Sequence, residues 1–386
     1  MTSEYDIAII GGGPVGATLA LALRGSKLKV CVLEARPAHS ARNDARALAL
    51  SYGSRLILSR LAVWDALQDV SSIQTIHISQ QHSFGRVVLR AAEMKVPELG
   101  YVLPYAALQD ALTHELQSSS VKSIYGALAT QLNNSADHAV IIYQQDGAAY
   151  TLHARLAVVA EGGKLLLQQH PPKTRDYGQS ALITHITCAT PQAKTAFERF
   201  TPHGPLALLP FQNGYALVWT ASHQVAQEML AWSDVKFLHE LHHQFGDRVG
   251  EFLTVGARVC FPLGLQRAPQ QTPIPHTVLI GNAAQTLHPV AGQGFNIGLR
   301  DAWELAQRIL DTVPEKLGSE EMLAAYRLHR RIDREGGIQF TDGLVRLFSN
   351  DLPLLSAGRA VALTLLDCLP FAKRFVAKRM MFGVNG

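Results

Sequence analysis

Three glycines near the start of the chain have the spacing of a dinucleotide-binding turn. Gly11, Gly13 and Gly16 form the pattern Gly-x-Gly-x-x-Gly directly after the apolar residues 7–10. In such a turn the first glycine permits a tight bend, the second lets the backbone approach a pyrophosphate, and the third lets a helix pack on the sheet. Glu34 follows about twenty residues later, where a carboxylate can accept the hydroxyls of an adenosine ribose. The pattern predicts a dinucleotide site, and its alternative is a glycine-rich turn in an ordinary α/β protein.

A second constellation lies at residues 281–296 and reads Gly-Asn-Ala-Ala-Gln-Thr-Leu-His-Pro-Val-Ala-Gly-Gln-Gly-Phe-Asn. It resembles the second FAD motif of the flavin-dependent aromatic hydroxylases, the family that includes p-hydroxybenzoate hydroxylase. Within that family it is most similar to the ubiquinone-biosynthesis branch of the UbiH (2-octaprenyl-6-methoxyphenol hydroxylase) type. Residues 196–207 and 341–345 are similar to the same branch. The resemblance therefore covers nearly the whole chain.

By this resemblance the cofactor is FAD, and several residues would contact it. Asn282 takes the position that hydrogen-bonds the ribityl chain, where most of the family has Asp, and Pro289 would lie beside the reactive edge of the isoalloxazine. Residues 292–296 begin a helix, and their N–H groups would face the pyrimidine side of the ring, because a helix N-terminus stabilises the anionic reduced flavin. Arg46 matches a family arginine near the cofactor, and its alternative is a charge on a solvated loop.

The motifs and the resemblance together define one set of predicted site residues. Gln109 joins it as a further candidate contact to FAD, and His288 has two interpretations, a role near the flavin or a structural hydrogen bond. The predicted catalytic residues are His288 and Pro289. The predicted cofactor-binding residues are Gly11, Gly13, Pro14, Val15, Gly16, Glu34, Ala35, Arg36, Arg46, Gln109, Glu161, Gly281, Asn282, Pro289, Gly292, Gln293, Gly294 and Asn296.

One segment departs from the family pattern. The family carries an Asp-Gly motif after its third nucleotide-binding strand, followed by a Ser and an Arg, and the motif contacts both FAD and NADPH. This chain has Ala-Glu-Gly-Gly-Lys at residues 160–164, without that Ser and Arg. Glu161 keeps the negative charge but adds a methylene group, and Lys164 could replace the missing cation. The departure leaves open altered handling of the reductant and, as an alternative, a family member without turnover.

The glycine turn requires a strand before it and a helix after it. Residues 7–10 predict a buried strand, residues 14–24 a helix that Gly25 ends, and residues 28–33 a second strand. This β-α-β order directs the free N–H groups and the positive end of the helix dipole towards a phosphate.

Further buried strands are predicted at 154–160 and 277–280, with strand-rich segments between them. We expect an α/β protein with a Rossmann-like FAD-binding domain, an inserted and mostly antiparallel β-sheet substrate domain, and a helical C-terminus. The predicted boundaries are 1–72, 96–180 and 268–335 for the FAD-binding domain, 73–95 and 181–267 for the substrate domain, and 336–386 for the C-terminal helical region.

Composition and charge exclude several classes of protein. The 386 residues are 47% hydrophobic and 17% charged, which is typical of a globular chain. A net charge of +4 without a long basic run argues against a nucleic-acid partner. The four cysteines form no CxxC pair, the N-terminus is acidic where a signal peptide would be basic, and no apolar run has the length of a membrane span. We therefore expect a cytoplasmic protein, with contact to the inner membrane as an open alternative.

Two further patterns have competing interpretations. Residues 239–243 spell His-Glu-Leu-His-His, the HExxH zinc-protease pattern, but no third ligand is evident, and no metal is predicted. Residues 363–381 mix Leu, Phe and Met with Arg374, Lys378 and Arg379. They could form a basic amphipathic helix that rests on an anionic membrane, although a helix that packs on the FAD domain is favoured.

The resemblance implies an FAD-dependent monooxygenase that hydroxylates the ring of a polyprenylated phenol in ubiquinone biosynthesis. NADPH or NADH would reduce the flavin, and O2 would add to it as a C4a-hydroperoxide. Other ubiquinone-biosynthesis proteins are candidate partners. Two alternatives remain open, a flavin oxidoreductase acting on another small aromatic or quinone, and a turnover-deficient subunit of a biosynthetic assembly.

Overall fold

The computed structural model describes residues 2–38, 40, 44, 46–288, 292–348 and 353–385. The strands within these residues are β1 (Thr2–Ile10), β2 (Val30–Glu34), β3 (Ala47–Ser51), β4 (Ser71–Ile73), β5 (Thr75–Gln80), β6 (Arg86–Arg90), β7 (Gly100–Pro104), β8 (Lys122–Tyr125), β9 (Leu128–Asn134), β10 (Ala139–Gln145), β11 (Ala148–Val159), β12 (Lys173–Cys188), β13 (Thr195–Thr201), β14 (Gly204–Phe211), β15 (Gly214–Ser222), β16 (Phe252–Val255), β17 (Val259–Arg267), β18 (Thr277–Leu279) and β19 (Gln285–Thr286). The helices are α1 (Pro14–Leu23), α2 (Tyr52–Arg60), α3 (Ala91–Met94), α4 (Tyr105–Gln117), α5 (His223–Ala231), α6 (Asp234–Phe245), α7 (Gln293–Leu310), α8 (Glu320–Phe348), α9 (Pro353–Cys368) and α10 (Pro370–Phe382).

A mixed sheet, with β8, β2, β1, β11 and β18 parallel and β10 and β9 added antiparallel beyond β11, brings the first strands of the chain together with strands from its middle. β1 lies between β2 and β11, β8 pairs with the outer edge of β2, and β18 pairs with the end of β11. Ile7 and Ile9 of β1 pack with Leu19 of α1 and Leu299 of α7 in one core. Burying each of these side chains contributes about 1.5–3 kcal/mol. The strands predicted at 7–10, 28–33, 154–160 and 277–280 are thus confirmed, and the structure places all four in one sheet.

A larger, mostly antiparallel sheet has the strand order β19-β17-β12-β15-β14-β13-β5-β6, with β16 also paired to β12. Its one parallel pair joins β13 to β5. On one face Phe197 and Trp219 pack against Phe237 and Phe245 of α6. β12 begins at Lys173 and runs through position 181, where the sequence places a domain boundary. The domain boundaries themselves stay a prediction.

A small sheet and the C-terminal helices complete the fold. β7 pairs antiparallel with β3 and β4. The chain ends in three consecutive helices, α8, α9 and α10, as predicted for a helical C-terminus. The predicted fold class is confirmed. No helix in the described part of the chain combines the length and the apolar composition needed to span a bilayer.

Candidate functional site

A groove lies where the predicted cofactor-binding residues converge, and we call it the glycine-turn groove. Its volume is about 870 Å³, which falls in the range of small-molecule and cofactor sites. It opens beyond the carboxyl ends of β1, β2 and β11, the edge at which α/β sheets bind ligands. The predicted residues that line it are Gly11, Gly13, Pro14, Val15, Glu34, Ala35, Arg36, Arg46, Glu161, Gly281, Asn282 and Gly294.

The three glycines of the turn are required for different physical reasons. Gly11 has a φ of +108°, and a Cβ there would lie 2.7 Å from the backbone nitrogen of Glu161. A Cβ on Gly16 would lie 1.9 Å from the carbonyl oxygen of Gly11, so only glycine lets α1 pack so closely. Beside Gly13 no atom lies within 4 Å of the Cβ position, because that side is open groove. The turn therefore leaves room for a ligand at the N-terminus of α1, as the predicted pyrophosphate contact requires.

Glu34 ends β2 and holds the turn in place. One carboxylate oxygen accepts a 2.7 Å hydrogen bond from the backbone N–H of Gly12. The other accepts hydrogen bonds from the backbone N–H and the Nε of Arg36, at 3.0 and 2.9 Å. The oxygen bound to Gly12 can accept one further hydrogen bond, so the side chain fits the predicted ribose contact, which stays a prediction.

Arg46 and Gln109 occupy different places relative to the groove. Arg46 lines it, pairs with Asp44 at 2.6 Å, and holds its guanidinium 4.7 Å from the centre of the Tyr105 ring. Gln109 lies behind the turn, where its Nε2 donates a 2.9 Å hydrogen bond to the carbonyl oxygen of Gly12. Gln109 therefore supports the turn from the protein side, and direct contact with FAD stays a prediction.

Glu161, the residue that departs from the family pattern, follows β11 at the edge of the groove. Its carboxylate accepts a 3.1 Å hydrogen bond from the backbone N–H of Leu165. Lys164 lines the groove beside it. The Glu161 side chain, one methylene longer than Asp, thus forms a hydrogen bond within the turn that follows β11. Its negative charge and the cation of Lys164 both lie at the edge of the groove.

The first turn of α7 lies between the groove and a second cavity. Gly294 and Phe295 line the groove, whereas Gln293 and Asn296 line the second cavity. The side chain of Asn296 accepts hydrogen bonds from the Ser51 backbone N–H and the Ser54 hydroxyl, at 2.8 and 2.6 Å. It also donates to the carbonyl oxygens of Ala49 and Gly292, at 3.1 and 2.7 Å. This side chain fixes the helix start and uses its hydrogen-bonding capacity within the protein, so contact of Asn296 with FAD through its backbone stays a prediction.

The second cavity is apolar, and we call it the apolar cavity. Its volume is about 250 Å³. One wall is formed by strands of the large antiparallel sheet, β5, β6, β13, β14 and β15. The opposite wall is formed by β3, the first turn of α7 and the C-terminal helices α8, α9 and α10. Glu198 of β13 supplies the one charged side chain among the described residues that line it.

Sequence reasoning did not predict that Glu198 lies in this cavity, although Ala196-Phe197-Glu198-Arg199-Phe200 carried part of the family resemblance. The sequence did contain a signal for this position. Side chains alternate between the two faces of a strand, so Glu198 shares a face with the apolar residues Ala196 and Phe200.

Of the two predicted catalytic residues, only His288 lies in the described part of the chain. His288 is 1% exposed, and its ring meets that of Tyr177 edge-on at 5.5 Å. Burial lowers the pKa of His288 to about 4, so the imidazole is neutral at pH 7. His288 is absent from the described residues that line the groove and the apolar cavity. Pro289 lies outside the described residues, so both catalytic roles stay predictions.

The histidines of the HExxH pattern lie on α6. His239 and His243 are exposed, and His239 contacts the carboxylate of Glu240 at 3.5 Å. Among the described residues no group of three or more His, Cys, Asp or Glu side chains is arranged to hold a metal ion.

Comparison with known proteins agrees with this geometry. The model of a family described as "FAD binding domain" matches residues 4–340. Ubiquinone hydroxylase UbiL of Rhodospirillum rubrum is 32% identical over 388 residues, which cover 97% of this chain and 89% of that protein. The 3-demethoxyubiquinol 3-hydroxylase of Escherichia coli is 30% identical over 394 residues, covering 98% and 99%. The crystal structure of p-nitrophenol 4-monooxygenase PnpA from Pseudomonas putida DLL-E4 shares the fold, with a TM-score of 0.79, 15% identity and 99% coverage of both chains.

Proposed function

Because the chain belongs to the FAD-binding domain family, we propose that it is an FAD-dependent monooxygenase that hydroxylates the ring of a polyprenylated phenol on the route to ubiquinone. The observation that carries the proposal is the meeting of two cavities at the first turn of α7. One cavity fits a dinucleotide and the other an aromatic ring. The names of the two ubiquinone-related relatives support the substrate class.

The residues of the groove fit FAD. The open side of Gly13 and the N–H groups that begin α1 would hold the pyrophosphate. Glu34 would accept the ribose hydroxyls, Asn282 would bind the ribityl chain, and the first turn of α7 would face the pyrimidine side of the ring. When bound, FAD supplies the redox chemistry, taking electrons from NADPH or NADH and activating O2.

The apolar cavity would bind the phenol and exclude water from the reaction. Ile76, Ile78 and Leu209 line one wall, and Leu344 and Met380 line the other. Such a surface binds an aromatic ring through its apolar area. Removing water also protects a reactive oxidant from hydrolysis. Substrate identity therefore depends on the large antiparallel sheet and on the C-terminal helices.

Anaerobic reduction of the purified holoenzyme tests the proposal. We expect a flavin absorbance spectrum that NADPH or NADH bleaches, and bleaching that is faster when a prenylphenol analogue is present. A short soluble phenol is the control for the prenyl chain. A colourless protein, or a flavin that neither reductant bleaches, would contradict the proposal. Faster bleaching with the short phenol but not with the prenylphenol would favour an oxidoreductase for another small aromatic.

A deletion strain gives the same test in the cell. We expect loss of ubiquinone and accumulation of a prenylphenol, measured by quinone profiling. Normal ubiquinone without an accumulated intermediate would contradict the assignment to this route.

A membrane surface is the proposed source of the prenylated substrate. α9 and α10 line the apolar cavity with one face and are exposed to solvent on another. The outer faces carry Phe371 and Phe375, which are 73% and 67% exposed, with the exposed cations Arg374 and Lys378 beside them. Aromatic side chains next to cations suit the interface of an anionic bilayer. The two interpretations of the C-terminal segment are thus compatible, because Ala377 and Met381 of α10 are buried.

Replacing both aromatic residues tests this contact. Phe371→Ser/Phe375→Ser should bind vesicles of phosphatidylcholine and phosphatidylglycerol at least about tenfold more weakly than the unmodified protein, since each buried Phe contributes about 1.5–3 kcal/mol. Vesicle co-sedimentation provides the measurement. Val235→Ser, at an 81% exposed position on α6, is the matched control and should bind normally. Equal binding by the double variant and the control would show that this face does not contact the membrane.

A further inference from the structure

Glu198 is a carboxylate placed in an apolar wall. β13 pairs with β14 on one side and with β5 on the other, so Glu198 lies between Ala207 and Ile78. Alternation along β13 turns Glu198 to the cavity face, together with Ala196 and Phe200. All four neighbours are apolar, and all line the same cavity.

The charged groups of the surrounding elements are engaged elsewhere. Arg199 of β13 is directed to the opposite face, where its Nε donates to the carbonyl oxygen of Gln244 at 2.8 Å. His77 of β5 packs against the ring of Phe197 on that same face. Lys373 of α10 pairs with Glu93 and Asp367, at 3.0 and 3.2 Å.

The described lining of the cavity contains no other charged residue of these elements. Those absent from it include Arg86 and Arg90 of β6 and Asp342 and Arg346 of α8. In the described part of the chain no side chain or backbone group makes a hydrogen bond or an ion pair with the carboxylate of Glu198. Burying an unpaired carboxylate costs free energy. Buried polar groups normally have a hydrogen-bond partner. The described part of the chain supplies none for the Glu198 carboxylate, so a bound ligand is the candidate donor.

We propose that Glu198 accepts the hydrogen bond of the substrate's ring hydroxyl and takes its proton as the ring is hydroxylated. The inference rests on the proposed function and deepens it. The O–H bond of the phenol breaks, its electron pair stays on the phenolic oxygen, and a new O–H bond forms on the carboxylate. The electron pair raises the electron density of the ring, which favours addition of an electrophilic oxygen. Glu198 thereby orients the ring and acts as a general base.

The acid–base properties of Glu198 agree with this role. Burial raises the pKa of Glu198 to about 7, so the group changes between acid and carboxylate near neutral pH. Only the carboxylate can take a proton. Binding of a phenol should therefore strengthen as the pH rises through about 7, as long as the phenol itself stays protonated.

Ligand binding to the oxidised holoenzyme separates this role from a purely structural one. The probes are a soluble prenylphenol and its methyl ether, which has no hydroxyl hydrogen to donate. At pH 8 the unmodified enzyme should prefer the phenol by roughly tenfold or more, since a hydrogen bond to a charged group contributes about 1.5–3 kcal/mol. Glu198→Gln should lose most of that preference and all of its dependence on pH. Calorimetric titration or the change in flavin absorbance measures both affinities.

Two further variants make the experiment decisive. Glu251→Gln changes an exposed carboxylate away from the cavity and should keep the full preference. Glu198→Ala should lose the preference as Glu198→Gln does, and it replaces that variant if the glutamine disturbs folding. A preference for the phenol that persists in the Glu198 variants, with its pH dependence, would overturn the role of Glu198 while leaving the proposed function intact. An unmodified enzyme that neither binds nor hydroxylates the phenol would instead overturn the proposed function.

Discussion

Asp301→Ala is expected to lower the free energy of unfolding by about 3–5 kcal/mol, because it leaves a buried guanidinium without one of its counter-ions. Asp301 is 0% exposed, and one oxygen of its carboxylate accepts a 2.9 Å hydrogen bond from the Nε of Arg330 and forms an ion pair with the guanidinium at 2.8 Å. Arg330 also pairs with Asp333 at 2.8 Å, and Asp333 with Arg300 at 2.9 Å. Urea unfolding of the variant and of the unmodified protein measures the loss.

The same substitution should weaken FAD binding. The second carboxylate oxygen of Asp301 accepts a 3.3 Å hydrogen bond from the backbone N–H of Gly281, the first residue of the second predicted FAD motif. Tyr326 donates to the backbone carbonyl of Asp301, so α8 also depends on this position. The network therefore connects the core of the C-terminal helices to the wall of the groove.

Two comparisons identify the cause of the loss. Glu321→Ala removes an exposed ion pair with Lys316 and should cost at most about 1 kcal/mol. Asp301→Ala/Arg330→Met removes both buried partners and should be more stable than Asp301→Ala alone, because no unpaired guanidinium remains. If Asp301→Ala cost no more than Glu321→Ala, the buried network would not be a source of stability.

Features that depend on neighbouring residues could be predicted from the sequence. The turn from Gly11 to Gly16 and the helix after residue 292 each depend on a short run of residues, and their elements were confirmed. In α6 (Asp234–Phe245), for example, the buried residues Phe237, Leu241 and Phe245 repeat at helical spacing. The sequence pattern was sufficient to predict an element wherever that element's own residues determine its structure.

Features that depend on distant pairings could not be predicted. β3 and β7 pair across about fifty residues, and neither strand shows a clear alternation. The parallel pairing of β13 with β5 is an exception in an antiparallel sheet, which no local pattern reveals. Glu198 follows the same rule, because its isolation depends on the strands and helices that surround it. The pairing of Asp301 with Arg330 likewise joins two helices.

Gly13→Ala is expected to leave the fold stable and to weaken FAD binding by at least about tenfold, equivalent to about 1.4 kcal/mol. Gly13 has a φ of −63°, which any residue adopts, and no atom lies within 4 Å of its Cβ position. The methyl group would instead occupy the groove at the point where the backbone is predicted to approach the pyrophosphate. The FAD content per chain and the melting temperature of the apoprotein measure the two effects separately.

Two other glycines, Gly25 and Gly16, provide the controls that make this result specific. Gly25→Ala also adds a methyl group at an open position, but away from the groove, and should keep the full FAD content. Gly16→Ala should lower the melting temperature as well as the FAD content, because its Cβ would overlap the carbonyl oxygen of Gly11. If Gly13→Ala retained FAD as Gly25→Ala does, the pyrophosphate would not pass this face of the turn. The loss of FAD without a loss of stability is therefore the outcome that places the cofactor against the open side of Gly13.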